Sequence, residues 1–353
     1  RNGKRITAGT EGIDSYGKRA SSAPGTQSGV VVIKTSISST NSNTAGRSFT
    51  IEANDDITVS GNLHLHAVNY NYHGKNIVLR STQGNIQVNN QLYTYQIGYR
   101  SMGSDPKSAG NITLDAVSGW VRVANTIDTR GGRNQTYTNN HYNVGTYSSL
   151  SGDVTITGPL GVSLTGNMNL YNASYSNYGF MNGTLTIDTD ATVLTTSSGV
   201  NDGHTSGTLS IGALVKNGTG IFALGGGSIN WYGTSYPSYS PTTVNAGTLK
   251  LLRTNTLQTS GPLTVNTSAV VDMYNYNQQV GDISGGGTIT SSGTATYTLS
   301  VGYSNQNSTF SGILENGSAT TMHLTKGGSG TLTLSGPNTY TGTTSITNGI
   351  IKA

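Results

Sequence analysis

Cysteine is absent from all 353 residues, which excludes disulfides, thiolate metal sites and a cysteine nucleophile. Charge is scarce: Asp, Glu, Lys and Arg make up 10% of the chain, against roughly 25% in an ordinary globular domain. Apolar residues are scarce too, at 33%. Low hydrophobicity with high charge would mean disorder. Low hydrophobicity with low charge does not. No apolar run approaches the ~18 residues of a membrane helix, so no membrane span is expected. The net charge of +4 gathers at the start, where Arg1, Lys4, Arg5, Lys18 and Arg19 outnumber Glu11 and Asp14. No basic stripe follows, and a nucleic-acid partner is not expected.

Glycine, threonine, serine and asparagine take the vacant share. Glycine costs a helix about 1 kcal/mol per position relative to alanine, and Thr, Ser and Asn cost up to about 0.7. Threonine, valine, isoleucine and tyrosine suit strands, while glycine and asparagine suit turns. The composition therefore predicts strands and turns with almost no helix. A short strand recurs. It begins with Gly, continues with a small or polar residue, then alternates apolar and polar: "GNLHL" at Gly61, "GNIQV" at Gly84, "GNITL" at Gly110, "GDVTI" at Gly152, "GTLTI" at Gly183, "GTLKL" at Gly247, "GTLTL" at Gly330. A period of two puts Leu63 with Leu65, Ile86 with Val88, and Ile112 with Leu114 on one face. Starts roughly 20–40 residues apart signal a solenoid or a propeller, and no blade signature is present. The expected fold is all-β: a parallel β-helix, or β-solenoid. Its narrow apolar stack needs few apolar residues, because each coil pairs with its neighbours through the backbone. Three stretches are expected: a basic, less regular segment at 1–29, coils at 30–212, and coils continuous with them at 213–353.

Catalytic patterns are fragmentary. "GIDSYGKR" has the glycines and lysine of a phosphate loop, but Arg19 stands where Ser or Thr would hold Mg²⁺. His64 and His66 share a strand face, with His73 nearby and no carboxylate to complete a metal site. The acid pairs Asp55–Asp56 and Asp188–Asp190 lie more than a hundred residues apart, several coils distant, and form no single acid/base pair. No catalytic residue, metal site or cofactor is expected, and the chain reads as a non-enzyme.

The last 30 residues, "LTKGGSGTLTLSGPNTYTGTTSITNGIIKA", resemble the passenger-associated transport repeat of autotransporters. Lys326, Gly330, Leu332, Leu334, Gly336, Asn338, Thr339, Tyr340, Gly342 and Gly349 sit at matching places. A degenerate copy, "LVKNGTGIFAL" at Leu214, aligns Lys216 with Lys326, Gly220 with Gly330 and Leu224 with Leu334; its second half follows an insertion, as "TTVNAGTLKL" at Thr242. The front half, with "DDITVSGNLHLHA" and "GKNIVLRSTQGNIQV", is similar to the repeats of filamentous haemagglutinin-like exoproteins. The resemblance implies a right-handed parallel β-helix that is secreted or displayed on a bacterial surface or in an extracellular matrix, with an adhesive or structural role.

Tyrosine is the unusual residue: 20 Tyr against four Phe and two Trp. The candidate contact surface comprises Tyr70, Tyr72, Tyr93, Tyr95, Tyr99, Trp231, Tyr232, Tyr236 and Tyr239, set among Asn, Ser and Gly as in adaptable binding surfaces. The alternative is that tyrosine only covers coil edges or stacks along the solenoid. The function expected is that of a non-enzymatic structural or adhesive rod; a glycan-binding or glycan-cleaving β-helix is the alternative. Expected partners are copies of itself, stacked end to end through unpaired strand edges into fibres, and cell-surface or matrix glycans.

Overall fold

The computed structural model describes residues 5–8, 29–38, 49–65, 74–94, 109–131, 151–171, 182–191, 204–205, 209–225, 229–231 and 240–353. Every strand pairing among them is parallel. One coil shows the plan: Phe49–Ala53, Ile57–Val59 and Leu63–His64 follow one another around the axis. The next coil, Ile77–Ser81, Ile86–Val88 and Leu92–Tyr93, pairs with it strand for strand. Stacked coils give a ten-stranded first sheet, an 11-stranded second sheet and a seven-stranded third sheet. Toward the C-terminus a four-stranded and a three-stranded sheet complete the stack. Arg5–Ala8 adds a strand to the first sheet beside Phe49–Ala53, so the basic segment contributes at least one ordered strand.

The alternating pattern becomes columns. In the first sheet Ile51, Leu79, Leu114, Ile156 and Ile187 stack in register. In the third, Leu63, Leu92, Ile127, Met168 and Leu209 do the same. All ten are 0% exposed. The columns meet on the axis as one continuous apolar core. This is how a chain with so few apolar residues holds together: only one residue in two points inward, and each inward residue touches a like neighbour about 4.8 Å above and below.

The recurring "Gly, then polar" opening has a physical cause at the corner between the third and first sheets. Asn76 Oδ1 accepts the amide of Asn111 at 2.8 Å, Asn111 Oδ1 accepts Asp153 N at 2.9 Å, and Asp153 Oδ1 accepts Thr184 N at 2.8 Å. Each polar residue thus satisfies an amide of the next coil. The glycine before it packs against the backbone of the coil below: a Cβ on Gly110 would collide with the Lys75 carbonyl, and one on Gly152 with that of Gly110.

Candidate functional site

The chemistry-bearing feature of the described residues is a corner that occurs twice. In the first sheet, Lys216 occupies the next place in the aliphatic column, directly over Ile187 and under Val244. Its residue exposure is 0%. An inward lysine must either lose its charge or find partners. Here the stem continues the apolar column, and the head group bends into the following turn. Nζ donates to the carbonyls of Asn217, of Gly218 at 2.9 Å, and of Ala246, one coil further on, at 3.4 Å. Lys326 repeats this in the four-stranded sheet, over Val301 and under Ile346. It is 1% exposed, and its Nζ donates to the carbonyls of Gly327 and of Gly328 at 2.9 Å.

The glycines make room for that head group. Gly218 and Gly328 hold φ of 71° and 63°, which turns their carbonyls toward the lysine, and Gly247 and Gly349 hold 62° and 75° one coil later. L side chains rarely adopt such values. A Cβ on Gly349 would lie 2.8 Å from Lys326 Nζ and 2.5 Å from the Gly328 carbonyl; one on Gly247 would lie 2.6 Å from the Gly218 carbonyl. The unit is therefore two stacked hairpin-like corners, strand–turn–strand over strand–turn–strand. Ala213–Asn217 and Ile221–Leu224 lie under Thr242–Val244 and Thr248–Leu251. Met322–Lys326 and Thr331–Leu334 lie under Thr344–Ile346 and Ile350–Lys352.

Carboxylates tune both heads. Burial pushes the Lys216 ammonium down to about 8, and Asp188 and Asp190 partly offset this. Asp188 is itself pushed up by burial and by the charge of Asp190. Asp190 is held down by the backbone N–H and hydroxyl of Thr219, at 2.7 and 2.9 Å. Burial also lowers Lys326, with Asp282 as the partly offsetting charge. The corners are structural clamps: both lysines are buried and their ammoniums are held by backbone carbonyls.

The remaining motif residues fall into place around the second corner. Leu332 and Leu334 are buried in the core. Gly330, Gly336 and Gly342 pack against the carbonyls of Gln306, Gly312 and Met322. Asn338 accepts the Leu314 amide at 3.0 Å and donates to the Gly336 carbonyl at 3.0 Å. Thr339 and Tyr340 donate their amides to the Leu314 carbonyl, and the Tyr340 hydroxyl meets that of Thr344 at 2.7 Å. The passenger-associated transport repeat matches at residues 214–251 and 324–353.

The chain carries two passenger-associated transport repeats. They support an autotransporter passenger domain, as expected from the sequence. No match extends to the front half, so its haemagglutinin-like resemblance stands without support. Neither the curated proteins nor the solved structures give a match.

Of the expected contact surface, Tyr70, Tyr72, Tyr95, Tyr99, Tyr232, Tyr236 and Tyr239 lie outside the described residues. Trp231 ends the third-sheet strand Ile229–Trp231, opposite Ile211. Tyr93 is half-buried and stacks flat on His64 of the coil below, centroids 4.5 Å apart and planes 6° apart. Nε2 of that histidine meets Gln91 Oε1 at 3.3 Å. Asp55 and Asp56 accept the amides of Gly29 at 2.6 Å and Asn85 at 2.7 Å, which is turn capping between coils. Sequence reasoning aligned the two lysines but gave them no role. The signal was present: Lys216 is two residues after the inward Leu214, and Lys326 two after Leu324.

Proposed function

We propose that this chain is a non-catalytic structural rod whose tyrosine-rich segments form an adhesive face along one corner. The repeat family implies a secreted or cell-surface location and suggests a structural passenger; adhesion, and display in an extracellular matrix, belong to the proposal. One observation carries it. The segments 66–73, 95–108, 132–150, 172–181 and 232–239 hold twelve of the 20 tyrosines. Each of them connects a third-sheet strand to a first-sheet strand. Five insertions thus begin and end at the same corner of the solenoid, where the connection from Leu209–Ile211 to Ala213–Asn217 is Gly212 alone. Their residue types are those of adaptable contact surfaces: amphipathic rings among small polar residues. Repetition along one edge gives weak contacts a combined strength far above each alone. Surface glycans and further copies of the chain are the proposed partners.

The test is a full-length variant with those twelve tyrosines changed to serine. Adsorption to protein-coated and polysaccharide-coated surfaces should fall at least about tenfold, while the far-ultraviolet circular dichroism spectrum is retained. Adsorption equal to that of the parent would refute the adhesive face. Release of reducing ends from a polysaccharide coat would refute the non-catalytic reading.

A further inference from the structure

A second aromatic surface lies on a different corner, between the second sheet and the strand that follows it. We infer that Tyr274 and Tyr276, flanked by Asn255 and Asn277, form a binding ledge for neutral saccharide chains. The two tyrosines are 38% and 36% exposed, the most open aromatic pair among the described residues. Their rings stand 6.5 Å apart and tilted by 46°.

The display is built at a conformational cost. Tyr274 has φ of 40° and Asn275 has φ of 71°. Asparagine tolerates this region, but a bulky aromatic seldom occupies it. Asp272 holds the turn: its Oδ1 accepts the amides of Tyr274 at 3.0 Å and Ser292 at 2.8 Å, and its Oδ2 accepts the Ser292 hydroxyl at 2.6 Å. Lys250 lies beneath one ring, with Nζ 3.9 Å from the Tyr274 centroid. The same ammonium reaches Asp272 Oδ2 at 3.4 Å and Ser292 Oγ at 3.0 Å. One face of Tyr274 thereby rests on Lys250, while the residue stays 38% exposed.

Charge and hydrogen bonding select the ligand class. Asp272 neutralises Lys250 and the ring covers it, so Lys250 is not a free cation for an acidic polymer. Exposed Asn255 and Asn277 spend their Oδ1 atoms on the amides of Gln279 at 3.1 Å and Thr298 at 2.7 Å. No hydrogen bond among the described residues takes their Nδ2 groups. Flat rings flanked by amide donors match the two surfaces of a sugar: its C–H face packs on a ring, and its hydroxyl oxygens accept from amides. A purely hydrocarbon surface would offer those donors no acceptor.

The full chain, with the tyrosine-rich segments intact, is run by affinity electrophoresis in gels containing dextran, laminarin, xylan or polygalacturonate. The comparison is with the double variant Tyr274→Asn, Tyr276→Ser. At least one neutral polysaccharide should retard the parent, and the variant should bind it at least about tenfold more weakly. The melting temperature should hold or rise, because asparagine fits φ of 40° with less strain. Three results would each overturn the ledge: no retardation by any neutral polysaccharide, retardation by polygalacturonate alone, or equal retardation of parent and variant. Equal retardation would move saccharide binding to the other corner and leave the adhesive reading in place.

Discussion

The two lysine corners share one sequence pattern and differ in their surroundings. Lys216 belongs to the first sheet, with coils on both sides and two aspartates near. Lys326 belongs to another sheet, has one aspartate near, and is covered by a coil whose Ile346 and Ile350 are each 53% exposed. In both, Nζ donates to the carbonyls of the next two residues and the paired glycines hold positive φ; Lys216 reaches in addition the Ala246 carbonyl one coil on. The repeat is thus a corner module and not a coil module. It needs a strand, a glycine turn, a second strand and one coil above, and two different corners of the solenoid supply these. What differs is how tightly the rest of the molecule seals it, and that difference can be measured.

The largest effect is expected from reversing the buried charge. Lys216→Glu would place an anion among the Asn217, Gly218 and Ala246 carbonyls, close to Asp188 and Asp190. It should cost about 4 kcal/mol or more and open the coils around 188–251. Lys326→Glu should cost less, because its covering coil is itself half open. Hydrogen exchange read coil by coil checks both, since a solenoid need not unfold in one step. Equal loss of protection at the two corners would dismiss sealing as the distinction.

The next effect is on pH dependence. Lys216 falls from an ordinary 10.5 to about 8 in the folded chain. Between these values the unfolded chain holds more protons than the folded one, so stability rises with pH across that window. The desolvation cost is fully present below pH 8 and is relieved by up to about 3 kcal/mol on reaching 10.5. Tyr297 opposes this at the top of the range. It is fully buried, donates to the Glu315 carbonyl at 2.7 Å, and is pushed well up by burial. Above pH 10 the unfolded chain loses the phenol proton first, and stability falls. Urea melts from pH 7 to 11 should pass through a maximum near 10. Lys216→Met should flatten the rising limb, and Tyr297→Phe the falling one. A rising limb that survives in Lys216→Met would assign it to another group.

The smallest effect separates the corners by an outer ladder. Asn245 Nδ2 donates to Asn217 Oδ1 at 2.8 Å, and Asn266 Nδ2 to Asn245 Oδ1 at 2.7 Å. In the second repeat Gly327 replaces Asn217 and the ladder is missing. Asn245→Ala should cost below about 1 kcal/mol, as expected for exposed amide pairs. Asn348→Ala, next to Gly349, should change the thermal midpoint still less. An unchanged thermal midpoint in Asn245→Ala would show that the exposed ladder contributes nothing.

Composition and the period-two alternation were enough to determine that this chain builds a parallel β-solenoid and which side chains face inward, and the resemblance of two stretches to a known motif located the repeats. Those properties are local: strand propensity, side-chain parity and turn residues act within a few positions. The tertiary structure decided the rest. That Lys216 clamps Ala246, 30 residues away, depends on coil register. So does the placing of the strand ends that the five tyrosine-rich segments connect, and so does Lys250 lying beneath Tyr274. Register is set by every coil together, because each inward column must stay continuous, and no short stretch of sequence contains it.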